Sequence, residues 1–390
     1  MRSVVSQTRR AASAFLFALV GSAFLGSGCG PTRLAVEEDQ SRTWPMYLGE
    51  TSRICLSPWS LSPPLETLWR RSLTAGISEG IARRGDVLAV PTTRGEIQFL
   101  TAARGKTIGK LKLPKTSTTL VWPAPTRILI LSRLGRGNLR CYDLREGRWL
   151  WQFSAGPVDT EPVVLADTLY VVSTYGRARA ILAATGRQVW EVEVPSQVHS
   201  SPCVAGHVLA FGTDRGEVIA LRRTDGTVVW RTRFRASVLA TPVTYDSLIL
   251  VGATDSVFRA LAVEDGRIVW ERRAGGRIVR PAAVNPSQRA VIYAANDHSV
   301  TCARLEDGQT LWRTELQAPA STAPAVAGET IWVGGLDRRL YGLDATTGSI
   351  LWSDRLKGTP KVLIPAEDRL FVATEDYHLY CFRSHEVTTP

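Results

Sequence analysis

The residues of this sequence that could carry chemistry are one Gly-x-Ser-x-Gly stretch, five histidines and six cysteines. Gly76-Ile77-Ser78-Glu79-Gly80 has the spacing of a nucleophile elbow, which would make Ser78 an acyl acceptor. That chemistry requires a strand–turn–helix setting; here the stretch joins the end of one strand to the start of the next, so the match is read as accidental. Gly135-Arg136-Gly137 opens a dinucleotide pattern but lacks its third glycine and its βαβ context, and is read as a hairpin turn. The histidines (His199, His207, His298, His378, His385) show no metal-ligand pairing. His298 and His378 fall in hairpin tips, where solvated side chains are expected. No catalytic, metal-binding or cofactor-binding residue is identified, and the reading leans away from an enzyme.

The elements that would position these residues follow from a repeat. A glycine is followed four residues later by tryptophan at Gly147/Trp151, Gly186/Trp190, Gly226/Trp230, Gly266/Trp270, Gly308/Trp312 and Gly348/Trp352. Trp69 keeps the register with Leu65 in the glycine's place, and Gly105 keeps it with Gly109 in the tryptophan's place. A period of about 40 residues marks stacked supersecondary units. Each unit reads as short strands of Val, Ile, Leu and aromatic residues between Asp-Gly-type turns, as in "LILVGATDSVFRALAVEDG". Prolines 162, 202, 242, 281 and 324 open a further strand, a place where a missing N–H does no harm. Four strands per unit make a propeller blade.

The last unit has inner strands without a tryptophan strand, and Trp69 has a tryptophan strand without inner strands. The N-terminal strand therefore closes the final blade. The fold predicted is all-β: an eight-bladed propeller over 65–384, preceded by a tether and lead-in at 30–64 and followed by a tail at 385–390. Trp69, Trp151, Trp190, Trp230, Trp270, Trp312 and Trp352 are assigned to docking one blade on the next. Cys141, Cys302 and Cys381 share one repeat position with Ala180, Ala220, Ala260 and Gly342, a tight packing site in which cysteine acts as a small hydrophobe. No structural disulfide is expected, for these or for Cys55 and Cys203. Glu161 and Arg280, each just before an inner-strand proline, would project into the central channel.

The stretch "LDATTGSILW" resembles the tryptophan-docking repeat of the PQQ-like β-propeller family, and "WPMYLGETSR" with "LSPPLETLWR" is similar to the lead-in of its envelope members. The resemblance covers about residues 44–384. It implies either of two activities. Some family members are quinoprotein dehydrogenases that bind pyrroloquinoline quinone; another is the cofactor-free lipoprotein of the outer-membrane β-barrel assembly machinery. The dehydrogenases carry an adjacent Cys-Cys pair and calcium-binding carboxylates, and this sequence offers neither, so no cofactor is predicted and PQQ stays as the alternative. The family's Asp four residues before the glycine survives as Asp143 and Asp344 but is Thr101, Leu182, Arg222, Ala262 and Arg304 elsewhere. Such drift fits a scaffold.

Arg2, Arg9 and Arg10, an apolar stretch from Ala11 to Leu25 and the small residues before Cys29 read as a signal peptide over 1–29. Its end resembles a lipobox, which makes Cys29 the expected lipid-attachment residue. With Gly30 following, the expected place is the outer membrane, facing the periplasm, held through the lipid alone. The net charge is +11, with 41 Arg against 6 Lys; this bias is read as genomic, and an exported chain would not meet nucleic acid. Basic residues after the tryptophan strands form an arc on the loop face, of which Arg231, Arg233, Arg235, Arg272, Arg273 and Arg277 are the candidate partner face. Asp159, Glu161, Glu191 and Glu193 leave an acidic gap in it. The expectation is a monomeric, non-enzymatic envelope scaffold that docks a protein partner, the barrel-assembly machinery being the first candidate; the alternative is a periplasmic quinone-dependent oxidoreductase.

Overall fold

Runs such as Val208–Gly212 and Glu217–Arg222 hold too few residues for a helix to bury, and Asp and Gly in the intervening turns reverse the chain. The computed structural model describes residues 32–36, 43–113 and 118–384. The expected signal peptide over 1–29, with the expected lipid-attachment residue Cys29, and the tail 385–390 lie outside the described residues. Eight antiparallel four-stranded sheets, numbered here as blades 1 to 8 in chain order of their inner strands, stand around a central channel. Among the described residues the one helical element is a 3-10 turn, Pro286–Gln288, and no helix is long and apolar enough to cross a membrane.

Blade 4 shows the common plan: Cys203–Ala205 innermost, then Val208–Gly212, Glu217–Arg222 and the tryptophan strand Val228–Arg233 at the rim. The inner two strands are buried throughout, while the outer strand alternates, its Trp230 turned inward. The third and outer strands shift register once in every blade, beside the tryptophan in seven and beside Gly109 in blade 1. Across that ladder Trp151, Trp190, Trp230, Trp270, Trp312 and Trp352 face Cys141, Ala180, Ala220, Ala260, Cys302 and Gly342. At Gly342 the space a side chain would take is held by Trp332, whose Cζ3 would lie 2.9 Å from an added Cβ. Blade 1 inverts the pair, with Phe99 opposite Gly109.

The N-terminal strand Leu65–Ser72 closes blade 8 by pairing with His378–Ser384, Trp69 opposite Cys381. This is the closure expected from the sequence. It leaves no inner strands to the first tryptophan strand and no missing strand in the last blade.

The tryptophans dock each blade on its successor through two contacts. The indole N–H donates to a turn carbonyl of the next blade: Trp69 to Ala102 O, Trp151 to Ala183 O, Trp190 to Arg223 O, Trp230 to Val263 O, Trp270 to Leu305 O and Trp312 to Ala345 O, at 2.7–3.0 Å. The ring then lies under the glycine three residues past that carbonyl. A Cβ at Gly266 or Gly308 would come within 2.4 or 2.5 Å of the indole, and both glycines have positive φ. Trp352 differs, since the closing blade has no such turn. It packs edge-on against Trp332 at 5.8 Å and Phe382 at 6.5 Å.

Candidate functional site: the central channel and its loop-face mouth

Inner strands of a propeller carry backbone N–H groups that point at the axis without a partner, and buried N–H groups need one. The lead-in supplies it. Thr43–Trp44 pairs with Arg83 and Arg84 of blade 1, and Leu56–Ser57 runs parallel to blade 7. Between them Trp122 N donates to Pro45 O, Val204 N to Thr51 O, Thr244 N to Ser52 O, Val284 N to Ile54 O and Val326 N to Cys55 O, at 2.8–3.1 Å. The segment thus lines the inner strands of blades 1, 2 and 4 to 7.

Toward blades 3 and 4 a side chain of the same segment donates instead, to carbonyls. Arg53 is wholly buried, and its guanidinium donates to Tyr47 O at 2.7 Å, Glu161 O at 2.8 Å, Pro162 O at 2.9 Å and Pro202 O at 3.2 Å. A planar fork with five N–H groups suits four carbonyls converging from three directions. Burial pulls this guanidinium below its ordinary pKa, against the pull of Glu161, and pushes the Tyr47 phenol far up.

On the loop face, where outer strands lead into the next inner strand, the channel widens into a cavity of about 320 Å³. Glu161 lines it, as the sequence suggested, and Arg280 lines the adjoining pocket against Tyr47. One Glu161 oxygen, Oε2, is shut away from solvent without a hydrogen-bond partner, although the residue as a whole keeps partial exposure. Burial, reinforced by Glu79 and opposed by Arg53 and Lys361, raises its carboxyl to about 8. Lys361 Nζ lies 3.9 Å from Glu79 Oε1 and donates to Ile77 O at 3.5 Å. Ser78 sits in the same wall with its hydroxyl buried and unpartnered, and its backbone N–H bonds Pro91 O. It is on no elbow: no helix follows it.

His199 was not expected here. Its Nδ1 is 3.0 Å from Asp214 Oδ1, its Nε2 is 3.8 Å from Asp159 Oδ2, and Arg133 holds the other oxygen of Asp159. These groups come from blade 2, the loops leading into blades 3 and 4, and the hairpin of blade 4. Asp159 and His199 occupy the same place in successive units, so reading polar residues in register with the repeat would have found them. His298 and His378 do lie at hairpin tips, but both are half-buried, and His378 Nδ1 is 2.6 Å from Asp376 O. The five described cysteines are buried and free.

All six arginines of the candidate partner face are exposed. Their places differ from a single loop arc, because the outer strands run three residues past the tryptophan. Arg231, Arg233, Arg272 and Arg273 lie on the rim strands Val228–Arg233 and Ile268–Arg273; Arg235 and Arg277 are on the loops. Arg272 donates to Gly308 O at 2.9 Å and Asp307 O at 2.7 Å, so it joins blade 5 to blade 6. The acidic gap is partly neutralised within the fold: Glu191 pairs with Arg179 at 2.8 Å, and Asp159 with Arg133.

The sequence profile of the family described as "Outer membrane protein assembly factor BamB" matches residues 135–211, 204–301 and 296–386. The chain belongs to this BamB-type PQQ-like β-propeller family. Solved structures agree on the fold. The BamB structure from Moraxella catarrhalis superposes with a TM-score of 0.69 at 17% identity, over 82% of this chain and 100% of that one. The quinohemoprotein alcohol dehydrogenase of Comamonas testosteroni gives 0.73 at 13% identity, over 90% and 82%. A computationally designed protein, Ika8, gives 0.72 at 13% identity, over 84% and 99%. No curated protein matches by sequence. So the PQQ-like propeller family spans scaffold and dehydrogenase, and fold alone does not choose between them. Among the described residues no group of three or more His, Cys, Asp or Glu side chains is placed to hold a metal ion.

Proposed function

We propose that this protein is a non-enzymatic lipoprotein of the bacterial cell envelope, attached to the outer membrane through Cys29 and facing the periplasm. There it scaffolds a protein partner in outer-membrane β-barrel assembly. The observation that carries the reading is the filled axis. The chain's own residues 43–57 satisfy the inner strands, and Arg53 binds carbonyls at the centre. That leaves the loop face and the rim as the surfaces for recognition. Family membership adds the partner class. The loop and rim arginines supply a positive field for an acidic partner.

The test is in-cell crosslinking and affinity purification of a tagged full-length copy from envelope fractions. Barrel-assembly components should be recovered, and recovery should fall when Arg231, Arg233, Arg235, Arg273 and Arg277 are reversed to Glu. Recovery of none, from correctly anchored protein, would sink the scaffold reading.

One observation favours a second reading, a quinone-dependent oxidoreductase or ligand-binding propeller. The mouth cavity holds Glu161 Oε2, Ser78 Oγ and Thr119 Oγ1 buried without partners. Absorbance of the purified protein with added pyrroloquinoline quinone and calcium separates the two: a bound-quinone spectrum supports the second reading, an unchanged one the first.

A further inference from the structure

The seam between blades 1 and 2 lacks its tryptophan, because Gly109 stands at that position. The seam is nevertheless filled. Leu34 donates its backbone N–H to Leu144 O at 2.8 Å. Leu144 is the residue three before Gly147, and its carbonyl is the one that an indole N–H binds at each of the six seams described above. Tyr142 Oη donates to Thr32 O at 3.0 Å, Thr32 Oγ1 donates to Lys110 O, and Arg33 Nε donates to Glu146 O at 3.2 Å. Leu34 and Val36 pack on the cluster that contains Phe99, Trp122 and Leu144. A Cβ on Gly109 would meet Thr32 Cγ2 at 3.0 Å and Leu34 Cδ2 at 3.4 Å, so the segment occupies the space an indole would take.

We propose that residues 32–36 form a docking strap that replaces the missing tryptophan and turns the rim of blades 1 and 2 toward the membrane. The membrane half of this rests on the lipid attachment at Cys29 proposed above. Thr32 follows Cys29 after two residues, Gly30 and Pro31, so three residue steps give a reach of about 10 Å when extended. A leash that short holds the seam beside the bilayer surface. Blades 4 and 5, which carry Arg235 and Arg277 on their outgoing loops, lie across the ring and are left free for a partner.

Hydrogen exchange on the full-length chain and on Cys29→Ala tests the strap. The Leu34 amide should exchange slower than in an unfolded peptide by about tenfold or more in both proteins. Exchange at the unfolded rate overturns the strap, whatever the state of Cys29. Restoring the usual pair with Phe99→Ala/Gly109→Trp should abolish that protection while the other seams stay protected. Should that variant fail to fold, Leu34→Asp serves instead: it should free the Thr32–Val36 amides and leave the rest of the ring protected. Protection that persists at residues 32–36 in either variant overturns the strap.

The orientation is read from thiol-coupled fluorophores at Arg148→Cys, beside the seam, and Arg273→Cys, across the ring, in the acylated chain on vesicles with a bilayer-embedded quencher. The described native cysteines are buried and do not compete. Quenching should be stronger at residue 148. Equal quenching with a protected Leu34 overturns the orientation. Failure of the acylated chain to bind vesicles overturns the anchor and with it the membrane half, while the exchange result still decides the strap.

Discussion

Trp270 of blade 5 donates its indole N–H to Leu305 O of blade 6 at 2.7 Å, and the same ring lies 2.5 Å from where a Cβ on Gly308 would be built. Both contacts of the seam depend on glycine. Its φ of +69° suits the turn, and its missing side chain admits the indole. Gly308→Ala should therefore cost about 2–4 kcal/mol, from the left-handed backbone and from overpacking. Gly206 also has positive φ, but nothing lies within 4 Å of its added Cβ. Gly206→Ala should cost about 1 kcal/mol, the backbone share alone. Urea denaturation of the two variants measures the difference; equal losses would show that the indole contact contributes nothing.

The hydrogen bond itself can be isolated. Trp270→Phe removes the donor and leaves Leu305 O facing an apolar ring, a loss of about 1–3 kcal/mol. Trp352 makes no indole hydrogen bond among the described residues and is half-buried, so Trp352→Phe should cost less. Thermal unfolding of both variants ranks them, and the opposite order would assign the seam's strength to ring packing.

Arg53 joins the lead-in to blade 3. Arg53→Met keeps the length of the side chain but strips four carbonyls of their donor, and should cost about 3–5 kcal/mol, as removal of a buried charged hydrogen-bonding group does. Arg53→Lys should not restore it, since one ammonium cannot reach four acceptors on different sides. Limited proteolysis should then cut within residues 43–57 while the blades remain resistant. Uncut lead-in in both variants would show that the backbone hydrogen bonds suffice.

Glu161 makes stability depend on pH. Burial raises its carboxyl to about 8 from the ordinary 4.5, so the native state keeps a proton that the unfolded chain gives up. The stability tied to this proton is complete below the ordinary value and is lost as the pH rises toward 8. Urea midpoints of the wild type should fall across that window, and Glu161→Gln should flatten the fall. Parallel curves would mean that Glu161 is ionised in the folded protein throughout.

The repeat was legible because its signals are local. A glycine turn and a tryptophan four residues apart appear in six of the eight units, and the orphan strand at Trp69 pointed to a place in the last blade. The size rule at Cys141, Ala180 and Gly342 was also visible, although the tryptophan that faces each of them needed the ladder. What stayed hidden depends on residues remote in sequence. Residues 32–36 have no strand periodicity of their own, and only the vacancy at Gly109 gives them a place to bind. Arg53 looks like any polar loop arginine until the lead-in and blades 3 and 4 bring their carbonyls to it. His199 between Asp159 and Asp214 shows no motif spacing, because the partners come from successive repeats. The arginine arc was misplaced for a simpler reason: the outer strands continue to Arg233 and Arg273, turning expected loop residues into rim residues.

Blade 8 is built from Leu65–Ser72 and from three strands between Pro360 and Ser384. Its outer strand is made well before its other three. The ring therefore cannot seal until Ser384 has been made. Until Ser384 arrives, the edges of the first strand and of blade 7 stay open to other chains, and an unsealed propeller is most exposed to aggregation in that interval. Shortening the chain by its last strand would make that transient condition permanent.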